Sequence, residues 1–314
     1  MSENVIPCRK AFTDTILEEA KSNKNIFVVT SDARGSVTLD KFADELPRQF
    51  VEVGIAEQNA VGVGAGLALC GNNVFVCGPA CFYSARALEQ VKVDVAYTQS
   101  NVKIVGVSGG ISYGALGATH HSLHDLAVIR TFPGMEIYLP ADRFQTQKLI
   151  KYLVKSDKPA YIRMGRNAVP DVYNSKDEFD FRKAKVLSDG KDIALIAAGE
   201  TLYHAMQAAK KLLTNGINAT VVDLVSIKPF DKETVLNAIK NTKCVLTIEE
   251  HSIYGGIGAM VAELVAQEFP VKMKILGIPD ENVINANPLE ILDYYGLTFD
   301  NIYKEAVALL KSVH

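Results

Sequence analysis

Short runs rich in β-branched and aliphatic residues recur along the first half of the chain, at 26–30, 50–53, 74–77, 102–107, 136–139 and 160–163. Each has the length of a strand, and stretches with helical spacing of apolar positions lie between most of them. The clearest helices are 12–21, 56–70, 86–99 and 143–155, the last preceded by Pro140 and by Asp142, a candidate cap. A polar stretch, Asn174-Ser175-Lys176-Asp177-Glu178, shows neither period nor apolar face, which places a linker at 171–190. The alternation then resumes, with strands at 193–197, 219–223, 245–248 and 271–276 and helices at 202–213 and 255–267. The first of these helices stops before Asn215-Gly216, a left-handed terminator. Strand–helix alternation on this scale predicts an α/β protein of two doubly wound domains, 1–170 and a smaller 191–314, with no internal repeat.

Length supports the division, because 314 residues exceed the size at which most single cores stop growing. The 33 basic and 36 acidic residues are interspersed and give a net charge of −3, so nothing points to nucleic acid or to an anionic membrane surface. The longest apolar run, 60–70, is about half the ~20 residues that span a bilayer. The first residues, Met1-Ser2-Glu3-Asn4, lack the basic and apolar regions of a secretory signal, and a cytoplasmic location is expected. Five cysteines, Cys8, Cys70, Cys77, Cys81 and Cys244, form an odd set without a C-x-x-C pair and read as reduced thiols, most of them in the core.

Four features carry candidate chemistry. In Gly54-Ile55-Ala56-Glu57-Gln58-Asn59 a carboxylate heads the apolar, glycine-bearing segment 60–69. Burying that charge costs several kcal/mol unless it is paired or neutral, so Glu57 needs either a partner or a proton-transfer role. Gly62, Gly64 and Gly66 lie inside the helix at G-x-G-x-G spacing, which suits close packing better than a phosphate-binding turn. The run 255–258, Gly-Gly-Ile-Gly, is equally weak as a phosphate loop. The glycine-rich run 106–121, ending Gly117-Ala118-Thr119-His120-His121, is too irregular for helix or strand and is a functional-loop candidate. His120 and His124 stand four apart beside Asp125, but without a further acidic or Cys ligand a metal site there is disfavoured against local packing. Phe82 and Tyr83 precede Arg86 and Glu89-Gln90-Val91, and adjacent aromatics can wall a flat heteroaromatic ring or simply fill core. Arg9, Arg166 and Ser36 could together hold a phosphate, since guanidinium forks make paired charge-assisted hydrogen bonds.

Taken together, these segments resemble transketolase-type thiamine diphosphate enzymes over essentially the whole chain. The match comprises a pyrimidine-binding domain and, through Asp223-Leu224-Val225-Ser226-Ile227-Lys228-Pro229-Phe230-Asp231 and Ile248-Glu249-Glu250-His251, the C-terminal domain of that family. The resemblance implies that Glu57 faces N1′ of the aminopyrimidine and promotes its activation. Phe82, Tyr83, Arg86 and Asp32 would join Glu57 around the cofactor, Tyr83 being the better aligned ring. His120 and Ser108 would lie at the sugar donor, and Arg9, Ser36 and Arg166 at its phosphate. A two-carbon ketol unit would pass from a ketose phosphate to an aldose, with the cofactor as electron sink.

Two departures qualify the expected chemistry. No Gly-Asp-Gly occurs in the chain, so the Mg²⁺ and diphosphate ligands of the family would come from an N-terminal transketolase subunit, in a split enzyme assembled as a heterotetramer. No metal ligand is assigned to this chain. Leu116 stands where the family's loop has an acidic residue that contacts a donor hydroxyl, and Ser108 where it has His or Asp. Losing a hydroxyl partner predicts an unusual or branched ketose phosphate as donor. The alternatives are the beta subunit of a 2-oxoacid dehydrogenase decarboxylating component, against which the phosphate-binding set weighs, and a non-catalytic scaffold, against which Glu57 and His120 weigh. A fragment of a 1-deoxyxylulose-phosphate synthase is disfavoured by the missing loop acid.

Overall fold

A computed structural model describes residues 6–313. Among the described residues twelve strands form two sheets: β1 (Ile26–Thr30), β2 (Phe50–Glu52), β3 (Asn73–Pro79), β4 (Val102–Val107), β5 (Glu136–Tyr138), β6 (Ala160–Met164), β7 (Lys185–Ser188), β8 (Ile193–Ala197), β9 (Ala219–Asp223), β10 (Ser226–Lys228), β11 (Cys244–Ser252) and β12 (Lys272–Ile278). The first sheet has the order β10-β5-β6-β4-β3-β1-β2 and the second β12-β11-β8-β9-β7. All neighbours run parallel except β10 against β5 and β7 against β9. Helices cover both faces, so β3, β4, β6, β8 and β9 are buried at every residue, which is why they read as continuous apolar runs without alternation. The two doubly wound α/β units are those expected.

The division between the halves is less clean than a linker at 171–190 suggests. The polar run 174–178 is largely exposed, but Tyr173 and Phe181 flanking it are buried. Asp142 caps the helix Arg143–Leu153 by accepting from Gln145 N at 2.9 Å, and its second oxygen accepts from Val172 N and Tyr173 N at 2.8 and 2.7 Å. One carboxylate thus caps a helix and fastens the crossing chain to it. β10 then returns to the first sheet from the second half, and one apolar cluster runs through Leu139, Tyr161, Ile196, Val222 and Ile257. The halves share a core.

Two helical expectations change. The predicted helix 86–99 is a short turn, Leu88–Gln90, that widens into a π-helix over Val91–Tyr97. Helices Lys232–Lys240, Pro288–Tyr294 and Phe299–Lys311 complete the second half beyond those assigned from spacing. Among the described residues no helix is long and apolar enough to cross a membrane.

Candidate active site

All the candidate residues but Arg9, which lies in the first turn of the helix Cys8–Ser22, are carried by segments that follow the carboxyl ends of β1, β2, β3, β4 and β6, the edge at which parallel sheets bind ligands. After β2 the chain turns through Gly54, whose φ of 74° favours glycine, and enters the helix Glu57–Leu69 with Glu57 as its first residue. A carboxylate there faces unpaired N–H groups and the positive end of the helix dipole, so the position suits a charge that is otherwise removed from water. Glu57 is 3% exposed, and its Oε2 accepts from Nη1 of Arg86 at 2.8 Å.

From that pair a line of contacts crosses the surface. The Arg86 guanidinium, about half exposed, lies 4.6 Å from the centre of the Phe82 ring. Phe82 meets His120 edge to face at 5.4 Å, and His120 meets Tyr113 at 5.1 Å. The guanidinium of Arg166 lies over Tyr113 at 5.2 Å. Arg9 donates from Nε to the Arg166 carbonyl at 2.9 Å and from Nη1 to the Ser36 carbonyl at 2.6 Å. Burial, and then the charge of Arg166, pull the Arg9 guanidinium below its ordinary pKa. Two cations held close together at one end of an aromatic track suit an anion there. Glu57, Phe82, Arg86, His120, Arg166, Arg9 and Ser36 are therefore brought together, although they span 157 residues between Arg9 and Arg166.

Three expected residues stand elsewhere. Tyr83 is fully buried beneath the site, its hydroxyl 3.2 Å from Ser31 Oγ, so the accessible ring is that of Phe82. On the five-residue helix Ala80–Ser84 neighbouring side chains diverge, and one of two adjacent aromatics is turned inward. Ser108 is also fully buried, has a φ of 57°, and its Oγ finds no hydrogen-bond partner, so it does not face a donor in this conformation. Asp32 is exposed at the rim with a φ of 53°, its N–H donating to Glu52 Oε1 at 2.8 Å. Leu116 stands 54% exposed on the turn Gly114–Leu116. His124 is directed away from His120, with Nε2 3.2 Å from Ser84 Oγ, whereas His120 Nδ1 pairs with Thr119 Oγ1 at 2.9 Å. Among the described residues no group of three or more His, Cys, Asp or Glu side chains could hold a metal ion.

The glycine runs acquire a physical reason. Gly64 packs against the sheet, where an added Cβ would lie 2.5 Å from Val76, but Gly62 and Gly66 face open space, so the helix buries only one side. At the helix Ile257–Glu268 the N-terminal amides of Ile257 and Gly258 donate to Glu249 at 2.6 and 2.9 Å, so the Gly-Gly-Ile-Gly run receives the chain's own carboxylate. Further residues complete the site's support. Buried Asp125 accepts from Tyr161 Oη at 2.7 Å and Arg163 Nε at 2.9 Å, and Arg163 Nη2 donates to the Glu250 carbonyl at 2.6 Å. Tyr113, Arg166, Glu200, Tyr203, Glu250 and Asn287 help to line a cleft of about 1530 Å³ between the halves.

An aminopyrimidine requires a carboxylate at one edge and an aromatic face beside it. Glu57 and Phe82 supply both, with Arg86 bridging them, so this chain's residues fit the pyrimidine end of thiamine diphosphate.

The family model described as "Transketolase, pyrimidine binding domain" matches residues 4–172, and "Transketolase, C-terminal domain" matches residues 182–302. The chain belongs to the transketolase family, whose members use thiamine diphosphate. It is 60% identical to a subunit of the apulose-4-phosphate transketolase of Phocaeicola vulgatus, over 99% of this chain and 100% of that protein. It is 35% identical to "6-deoxy-6-sulfo-D-fructose transketolase subunit SqwH" of a Clostridium species, over 87% of this chain and 84% of that protein. A solved structure described as "Split gene transketolase, inactive beta4 tetramer" superposes with a TM-score of 0.90 and 35% identity, covering 98% of this chain and 100% of that one. Within the family the chain is a subunit of the split kind, part of a ketol-transferring enzyme.

Proposed function

We propose that this chain supplies the pyrimidine and donor half of a two-subunit transketolase whose donor is apulose 4-phosphate or a ketose phosphate of the same class. The observation that carries the reading is the continuous track from buried Glu57 through Phe82, His120 and Tyr113 to the Arg166–Arg9 pair. Glu57 and Phe82 would hold the aminopyrimidine, with Arg86 and Asp32 at its margin. When bound, thiamine diphosphate supplies an electron sink for the two-carbon unit. The Glu57 carboxyl is the group of this chain that would hold a proton during turnover. His120, braced between two rings, offers hydrogen bonds to donor oxygens, and Arg9 and Arg166 with Ser36 take the phosphate. The exposed hydrophobic Leu116 in place of an acidic partner removes one polar discriminator for ordinary donors.

Ile55, just before Glu57, and Leu69, at the far end of the same helix, are 77% and 71% exposed, and Gly62 and Gly66 between them face open space. A partner that contributes the diphosphate-binding domain, Mg²⁺ and its oxygen ligands would cover that strip, and two such pairs give a heterotetramer. The split-gene structure, described as an inactive beta4 tetramer, supports self-association of such subunits and the need for a further subunit, and the sugar names of the two relatives support an uncommon donor. The paired arginines favour this reading over a 2-oxoacid dehydrogenase, whose substrate brings no distal phosphate.

The test is ketol transfer by the reconstituted complex, with apulose 4-phosphate and xylulose 5-phosphate compared as donors. The reading expects kcat/KM at least tenfold higher for apulose 4-phosphate, and an Arg9→Ala variant whose donor KM rises about tenfold, ~1.4 kcal/mol of lost binding. Equal or better use of xylulose 5-phosphate would refute the substrate assignment.

A further inference from the structure

We propose that the C-terminal half positions the donor-binding loops of the N-terminal half through two carboxylates, Glu250 on the loop that bears His120 and Glu200 on the turn that bears Arg166. The inference rests on the reading of His120 and Arg166 as donor contacts.

The loop beyond β4 is a closed ring. Gly110 and Ser122 pair across its neck with N···O distances of 3.1 and 2.8 Å, and His121 Nε2 lies 3.0 Å from the Gly114 carbonyl within it. Just inside the neck, Ile111 N donates to Glu250 Oε1 at 2.7 Å. A Cβ on Gly110 would collide with that same oxygen. Further along, a Cβ on Gly114 would meet the Ala286 carbonyl at 2.7 Å, and one on Gly117 would meet Asn285 at 2.6 Å. These glycines are accordingly the places where the C-terminal half presses on the loop. They admit another part of the same chain where a phosphate loop would admit a ligand.

The second carboxylate repeats the arrangement. Gly165 N, one residue before Arg166, donates to Glu200 Oε1 at 3.0 Å, and a Cβ on Gly165 would collide with Glu200 Oε2. Both carboxylates line the cleft between the halves, and both grip backbone N–H groups, so side-chain changes along the loops leave the grip in place. Tyr113 and His120 follow from the neck held by Glu250, and Arg166 follows from the amide held by Glu200. A ring pinned at its neck holds its far side only as well as the pin does, so the placement of His120 is set partly from the other half of the molecule.

The test uses Glu250→Ala, Glu250→Gln and the matching pair at Glu200. Glutamine keeps an acceptor oxygen for the amide and alanine does not. In the chain alone, hydrogen exchange of peptides within 109–121 is expected to accelerate at least tenfold in Glu250→Ala, to stay within twofold of the parent in Glu250→Gln, and to be unchanged in β3. In the reconstituted complex, Glu250→Ala and Glu200→Ala are expected to raise the donor KM at least fivefold with kcat lowered less than threefold, and the Gln variants to restore KM. Unchanged loop exchange in Glu250→Ala overturns the clasp, as does a Gln variant as impaired as Ala. Altered exchange with unchanged KM overturns its role in donor positioning. If the parent complex transfers no ketol unit, the functional reading fails, while the exchange result still decides the clasp. Should Glu250→Ala not fold, the Glu200 pair gives the same comparison at the Arg166 turn.

Discussion

Glu57 keeps a carboxylate 3% exposed with one half-exposed arginine as its charged partner, an arrangement costly for stability and useful for proton transfer. Glu57→Ala is expected to lower turnover of the complex by at least three orders of magnitude, with circular dichroism and melting temperature close to those of the parent chain. Near-parental rates would remove Glu57 from the mechanism. Glu200 gives a different signal. Burial, and then the charge of Glu250, raise its pKa to about 8 from an ordinary 4.5. The folded chain therefore holds a proton that the unfolded chain has released, and stability falls as pH rises from about 4.5 through 8. Melting temperature followed from pH 5 to 9 is expected to decline less in Glu200→Gln, with the variant the more stable by a few degrees at the alkaline end. That Glu57, His120, Arg9 and Arg166 gather in one place was legible through the family resemblance more than through local chemistry. The site was not legible where orientation decides: Phe82 and Tyr83 are interchangeable in pattern, and only the inward turn of Tyr83 separates them.

At the level of elements, strands buried on both faces announce themselves through continuous apolar runs, which is why β1, β4, β8 and β9 match their predicted spans. The short edge pieces β7 and β10 leave little local pattern, because each is set by an antiparallel neighbour distant in sequence, β9 of its own half for β7 and β5 of the other half for β10. The helix Glu57–Leu69 shows the same limit. Its glycines suggest packing all round, yet only Gly64 touches the sheet. Gly66→Ala meets nothing within 4 Å, so alanine's helix propensity is expected to stabilise the isolated chain by about 1 kcal/mol. The same change is expected to weaken association with the partner subunit at least threefold, measured by sedimentation. Unchanged association would place the partner on another face.

Across the whole molecule, the two halves divide the work. One sheet's carboxyl edge carries the candidate site, and the other half meets that edge through a shared core, the β10 return, and the Glu200 and Glu250 contacts. None of this long-range support is visible as periodicity, because it joins residues separated by 139 positions in one case and 35 in the other. The exposed strip at Ile55 and Leu69 and the missing Gly-Asp-Gly lead to the central claim, that this chain supplies one side of a shared cofactor site. Calorimetric titration of thiamine diphosphate with Mg²⁺ tests it, first into the chain alone and then into the chain assembled with the partner that carries the diphosphate-binding domain. Tight binding by the assembled pair and at least a hundredfold weaker binding by the chain alone is the predicted result. Equally tight binding by the chain alone, or no binding by the pair, would contradict it.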